Sequence, residues 1–145
     1  MRTASATAEL AASPEQALVM FWDLDRWREL WDPIERAELT YQDPYQQEFV
    51  MHVERDGQLE RVRTVRYHRG TAIEFFSPDP PPSMRRHTGW WMFEPTTEGG
   101  TRVSAIRHYE LHPGHPQPSL FHDRFRTRLQ AILDRFATRP SAVPS

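Results

Sequence analysis

Residues 101–138 read TRVSAIRHYELHPGHPQPSLFHDRFRTRLQAILDRFAT, and the spacing of apolar side chains changes part-way along them. From Thr101 to Leu111 the period is two: Val103, Ala105, Tyr109 and Leu111 share one face, and Arg107 lies on it with them. From Ser119 to about Thr138 the period is helical. Phe121, Phe125, Leu129, Ile132 and Phe136 recur at spacings of four, four, three and four, which makes one apolar stripe. The Pro- and Gly-rich run from His112 to Pro118 separates the two segments, and Ser119 is the expected helix cap. A half-apolar strand followed by a long half-apolar helix predicts a helix lying on a sheet.

Upstream, the chain supplies the rest of that sheet. Thr3 to Leu10 alternates polar and small apolar residues and reads as a first strand. Ser13-Pro14-Glu15-Gln16 carries a capping box and a first-turn proline, so a short helix is expected through Phe21. A second short helix is expected over Asp25 to Trp31, stopped by Asp32-Pro33. Extended segments follow at Ile34 to Tyr41, Gln47 to Arg55, Leu59 to His68, Thr71 to Phe76 and Arg85 to Phe93. Asp56-Gly57 is a hairpin signal, and Pro78, Pro80, Pro81 and Pro82 predict an extended loop. The expectation is a single α+β domain over residues 1–138. It holds a curved antiparallel seven-stranded sheet wrapped around the C-terminal helix, with two short helices after strand 1. Residues 139–145 read as a disordered tail. A sheet that grips one helix encloses a cavity.

Composition limits the chemistry of that cavity. All 18 Lys+Arg cations are Arg, and there is no Lys and no Cys. Schiff-base and P-loop chemistry are therefore excluded, as are thiol nucleophiles, disulfides and thiolate metal sites. A net charge of −2 argues against nucleic-acid binding. No apolar run is long enough to span a bilayer, and the N-terminus lacks a signal-peptide run, so a cytoplasmic location is expected. Five Trp, four Tyr and eight Phe give few but large apolar groups, as suits a lined pocket. His112 and His115 have no third ligand at zinc spacing, so no metal is expected.

Several short stretches carry a resemblance. They are Ala12-Ser13-Pro14-Glu15 with Phe21-Trp22-Asp23, then Asp25 to Trp31, Thr64-Val65-Arg66, Trp91-Met92-Phe93 before Gly99-Gly100-Thr101, and Tyr109 to Pro113. In order and spacing the chain resembles the START-like helix-grip (SRPBCC) superfamily, and within it the tetracenomycin-type polyketide aromatase/cyclases. The resemblance implies a cofactor-free enzyme that directs regiospecific aldol closure and dehydration of a poly-β-ketone tethered to an acyl carrier protein. Arg66 aligns with the motif arginine of that family and Thr64 with the serine before it. The family's cavity tyrosine aligns with Ile34, and a second cavity arginine has no match within Thr71 to Phe76.

Aldol chemistry needs oxyanion stabilisation and proton transfer. Alternation puts Val62, Thr64, Arg66 and His68 on one face of their strand, and the resemblance selects that face as inward. The candidate catalytic residues are Arg66 first, Arg107 as the replacement second cation, His87 as acid/base because its ordinary pKa lies near working pH, and Tyr109 as proton donor. For His87, a solvated basic patch with Arg85 and Arg86 at the cavity mouth is the competing reading. The expected substrate-binding wall comprises Trp27, Trp31, Ile34, Phe49, Met51, Val62, Thr64, Gly89, Trp91, Phe125 and Leu129, with Gly89 leaving room for ligand. A non-catalytic carrier of an aromatic or lipid-like molecule and a dehydratase-type tailoring enzyme are the alternative functions. Monomer and homodimer both stay open.

Overall fold

The computed structural model describes residues 1–31, 33–55 and 57–138. The expected stop at Asp32, the first residue of the Asp56-Gly57 turn and the expected tail over 139–145 lie outside the described residues. The elements are β1 (Arg2–Leu10), α1 (Pro14–Trp22), α2 (Leu24–Leu30), β2 (Ile34–Gln42), β3 (Gln46–Arg55), β4 (Gln58–His68), β5 (Ala72–Asp79), β6 (Met84–Pro95), β7 (Thr101–Leu111) and α3 (Pro118–Thr138).

Local chemistry explains the helices. The Ser13 hydroxyl accepts from the Gln16 amide at 3.3 Å while the Gln16 side chain accepts from the Ser13 amide at 3.1 Å, which closes the capping box of α1. Asp23 ends α1 and caps α2, its carboxylate accepting from the Asp25 amide. One expectation is corrected: α3 begins at Pro118, so Ser119 lies inside its first turn and the Phe121 amide donates to the Gln117 carbonyl. Proline at the first helical position loses no hydrogen bond, so Pro118 starts the helix one residue early. Pro78 is likewise inside β5 rather than in the loop.

The seven strands form one antiparallel sheet in the order β1-β7-β6-β5-β4-β3-β2. Register shifts in the β2–β3, β4–β5 and β6–β7 ladders bend it. The sheet curves around α3 in the helix-grip architecture, with α3 lying along β1. An aromatic cluster fills one end of the space between sheet and helix. Phe21 stacks on Phe136 at 4.0 Å and meets Trp27, Trp91 and Phe93. A smaller cluster of Ala4, Met84, Tyr109 and Phe125 forms a second core. Among the described residues no helix is long and apolar enough to cross a membrane.

Candidate functional site

The concave face of the sheet and the underside of α3 enclose a cavity of about 980 Å³, its open mouth included. Trp27, Trp31, Ile34, Phe49, Met51, Val62, Thr64, Trp91, Phe125 and Leu129 line it, as do Arg66, His87 and Arg107. Val53, Arg55, Phe75, Ser77, Pro81, Arg128 and Ile132 complete the wall. Val53 was legible as a member of the Phe49–Met51 face. Phe75 and Ser77 required the register of β5, and Arg128 required the angle at which α3 crosses the sheet. The lining is largely aromatic and aliphatic, with a few convergent polar groups, as small-molecule sites are. Among the described residues no group of three or more His, Asp or Glu is placed to hold a metal ion, and no carboxylate lines the cavity.

Sheet register explains how two arginines reach this space. Gln47, Arg66, Phe75, Gly89, Arg107 and Ala4 are successive partners in one row across β3, β4, β5, β6, β7 and β1. Side chains opposite one another point to the same face, so both arginines project inward. Their backbones are three strands apart, ~14 Å.

The two guanidinium groups are engaged differently. Arg66 is 4% exposed. Its Nε donates to Gln47 Oε1 at 2.7 Å, Nη1 to the Phe21 carbonyl at 2.8 Å and Nη2 to the Trp22 carbonyl at 2.7 Å. Those carbonyls end α1, so Arg66 is the C-terminal cap of that helix as well as a cavity wall. Its guanidinium also lies over the Trp22 and Phe49 rings. Burial lowers its pKa to about 9, opposed by Asp23.

Arg107 is 5% exposed and lies over Trp91 at 4.2 Å and Phe75 at 4.6 Å. Nη1 alone donates, to the Trp90 and Ile106 carbonyls at 3.2 and 3.0 Å. No carboxylate among the described residues pairs with it, and burial lowers its pKa to about 9. Of these two arginines, Arg107 is the one that keeps nitrogens, Nε and Nη2, without a protein acceptor among the described residues.

Gly89 is a correction. It is not part of the cavity lining. A Cβ there would stand 2.1 Å from the Ile106 carbonyl oxygen and 3.1 Å from both Arg107 Cδ and Phe75 Cε1. The missing side chain makes room for the Arg107 stem and the Phe75 ring rather than for a ligand.

His87 lies inside, between the rings of Phe75 and Phe125, and not in a solvated patch. Arg85 and Arg86 do stay outside, where both approach Glu110. Burial first, then Arg107 and Arg55, pushes the His87 pKa down to about 3. The imidazole is neutral at working pH, so it cannot be the near-neutral acid that its ordinary pKa suggested. Its Nε2 is buried without a hydrogen-bond partner.

Tyr109 is a second correction. It is fully buried in the smaller core cluster, bonded through its hydroxyl to His122 Nδ1, and lies outside the cavity lining. Burial raises its pKa, as befits a core hydroxyl. Trp27 plays two parts: its Nε1 donates to the Phe21 carbonyl at 2.8 Å, and its ring faces the cavity.

Residues 1–139 match the family described as polyketide cyclase / dehydrase and lipid transport. The chain belongs to this family. No curated protein matches it by sequence. Among solved structures, TTHA0849 from Thermus thermophilus superposes with a TM-score of 0.82 at 20% identity, over 94% of each chain. The Zhui aromatase/cyclase from Streptomyces sp. R1128 superposes with a TM-score of 0.72 at 17% identity, over 93% of this chain and 86% of that one. A START superfamily protein from Mycobacterium smegmatis gives 0.79 at 16% identity, over 93% and 94%. At these identities the likeness is one of fold. The fold is the helix-grip fold that these structures share.

Proposed function

We propose that this protein is a cofactor-independent cyclase that folds a carrier-bound poly-β-ketone in the cavity and directs its aldol closure and dehydration. The observation that carries the reading is Arg107: a buried guanidinium held over two aromatic rings, with Nε and Nη2 unengaged and, among the described residues, no carboxylate paired with it. A cation so placed favours a ligand oxygen that gains negative charge during reaction. Arg107 binds the ketone oxygen under attack as its carbon accepts the enolate carbon and the new C–C bond forms. His87 stays neutral while empty and takes a methylene proton only when an oxyanion on Arg107 compensates the resulting imidazolium. It returns that proton to the new alkoxide, then takes the second proton from the attacking carbon as the hydroxyl leaves; the departing hydroxide receives that proton as water, and the C=C so formed completes the ring. The aromatic wall of Trp27, Trp31, Trp91 and Phe75 holds the chain curled.

The lack of a carboxylate in the described lining favours a second reading, a non-catalytic carrier of a finished aromatic or lipid-like product. Co-expression with a minimal polyketide synthase separates the two. The cyclase reading expects a changed ring pattern with the native protein and its loss with Arg107→Met at equal protein level. An unchanged product spectrum with the native protein overturns it and leaves the carrier reading, which direct binding of the product then tests.

A further inference from the structure

The main cavity does not end at its mouth. A second hollow, about 660 Å³ with its open side included, adjoins it, and Arg55, Phe125 and Arg128 line both. The character of the wall changes across that boundary. Inside, the lining is apolar around Arg107. Outside, the charged lining is Arg55, Glu60, the exposed Arg124 and Arg128, beside Leu120, Phe121 and Phe125 and the polar Ser83, His115 and Gln117. Glu60 approaches Arg55 at 3.3 Å, which balances one cation. Among the described residues no carboxylate pairs with Arg124 or Arg128, so the hollow keeps an excess of positive charge. These two residues are four apart on α3, so they stand one above the other on one helix face.

We propose that this hollow is an oxyanion subsite, and that the cavity's ligand is amphipathic: an apolar ring-forming body inside and a carboxylate or phosphate at the mouth, held by Arg124 and Arg128. The assignment rests on the reading of the main cavity as the ligand site. Guanidinium groups present paired donors that match a carboxylate or phosphate, and the apolar side chains beside them strengthen the attraction relative to open water. A free acid and a phosphate at the end of a tether offer the same chemistry.

Fluorescence titration with pyrenebutanoic acid, pyrenebutyl phosphate and pyrenebutanamide tests this on the full-length chain. At low salt the acid or the phosphate binds roughly tenfold tighter than the amide, as expected of a charge-assisted contact. Which of the two binds tighter identifies the oxyanion. In an Arg124→Gln/Arg128→Gln variant the charged probes fall to the level of the amide. In Arg126→Gln, which removes an exposed charge outside both hollows, the preference persists. Equal affinity of all three probes for the native protein overturns the subsite while leaving the cavity as a ligand site. Failure of every probe to bind overturns the cavity reading and the subsite with it.

Discussion

Arg66 and Arg107 share a row of the sheet, the same degree of burial and the same lowered pKa of about 9, yet their removal has opposite consequences. Burial depresses both, and at Arg66 the attraction of Asp23 offsets part of it, so Arg66→Met relieves the burial cost and gives up that attraction together while Arg107→Met relieves burial alone. The two also differ in hydrogen bonding. Arg66 makes three bonds of 2.7–2.8 Å from three nitrogens, whereas Arg107 makes two of 3.0–3.2 Å from one. After Arg66→Met, the Phe21 carbonyl keeps Trp27 Nε1 and the Trp22 carbonyl keeps Gln47 Nε2. Gln47 Oε1 is left buried without its donor. An orphaned buried acceptor costs about 1–3 kcal/mol, and a lost bond to a charged group about 1.5–3 kcal/mol, partly recovered where the acceptor keeps another donor. Arg66→Met is therefore expected to be less stable than Arg107→Met by about 3 kcal/mol. For a domain of this size that corresponds to roughly 10 °C in Tm. Thermal unfolding followed by far-UV circular dichroism measures it, with urea midpoints as a check. Equal midpoints, or a lower one for Arg107→Met, would refute the assignment of Arg66 to the fold and of Arg107 to the ligand.

Three further outcomes follow from the geometry. The His87 pKa is lowered to about 3, so between about pH 6.5 and pH 3 the unfolded chain binds a proton that the folded one does not. Stability contributed by the neutral buried imidazole is present above that window and declines as pH falls through it, by up to about 1.4 kcal/mol per pH unit. Urea unfolding of the native protein against His87→Phe across the window should show this slope only in the former, and parallel curves would contradict it. Gly89→Ala drives a methyl group against the Ile106 carbonyl at 2.1 Å, so a loss of about 3 kcal/mol or more is expected in the same assay, and a native-like midpoint would count against the close approach. Tyr109→Phe removes only the hydroxyl bonded to His122. It should cost about 1 kcal/mol and leave the affinity of a cavity ligand unchanged; a tenfold change in that affinity would return Tyr109 to the site.

Local patterns carried most of the architecture. The switch from period two at Val103–Leu111 to helical spacing at Phe121–Phe136 announced the last strand and the long helix. The Ser13/Gln16 box announced α1, and alternation assigned the inward face of β7. These features depend on neighbours a few residues apart, which a sequence displays directly. Phe49, Met51, Val62, Thr64 and Trp91 line the cavity; for Val62 and Thr64 alternation left both faces open, and the family resemblance chose between them.

What the inward residues do was decided elsewhere. The sequence offers Arg66 and Arg107 as inward cations without saying what either one bonds to, because side-chain type and period carry no record of partners. Only the folding of α1 over the sheet brings the Phe21 and Trp22 carbonyls within reach of Arg66 and turns it into a helix cap. Only the Gly89–Arg107 register lets the second arginine lie across the sheet on Phe75 and Trp91. His87 becomes neutral because the folded chain surrounds it with Phe75, Phe125 and two guanidinium charges, and Tyr109 leaves the site because His122 on α3 reaches its hydroxyl first. The sequence by itself determined the elements, the inward faces and the range of chemistry open to a chain without Lys or Cys. The tertiary structure alone decided which of the two arginines keeps N–H groups without a protein acceptor, because hydrogen-bond partners and desolvation arise from residues distant in the chain.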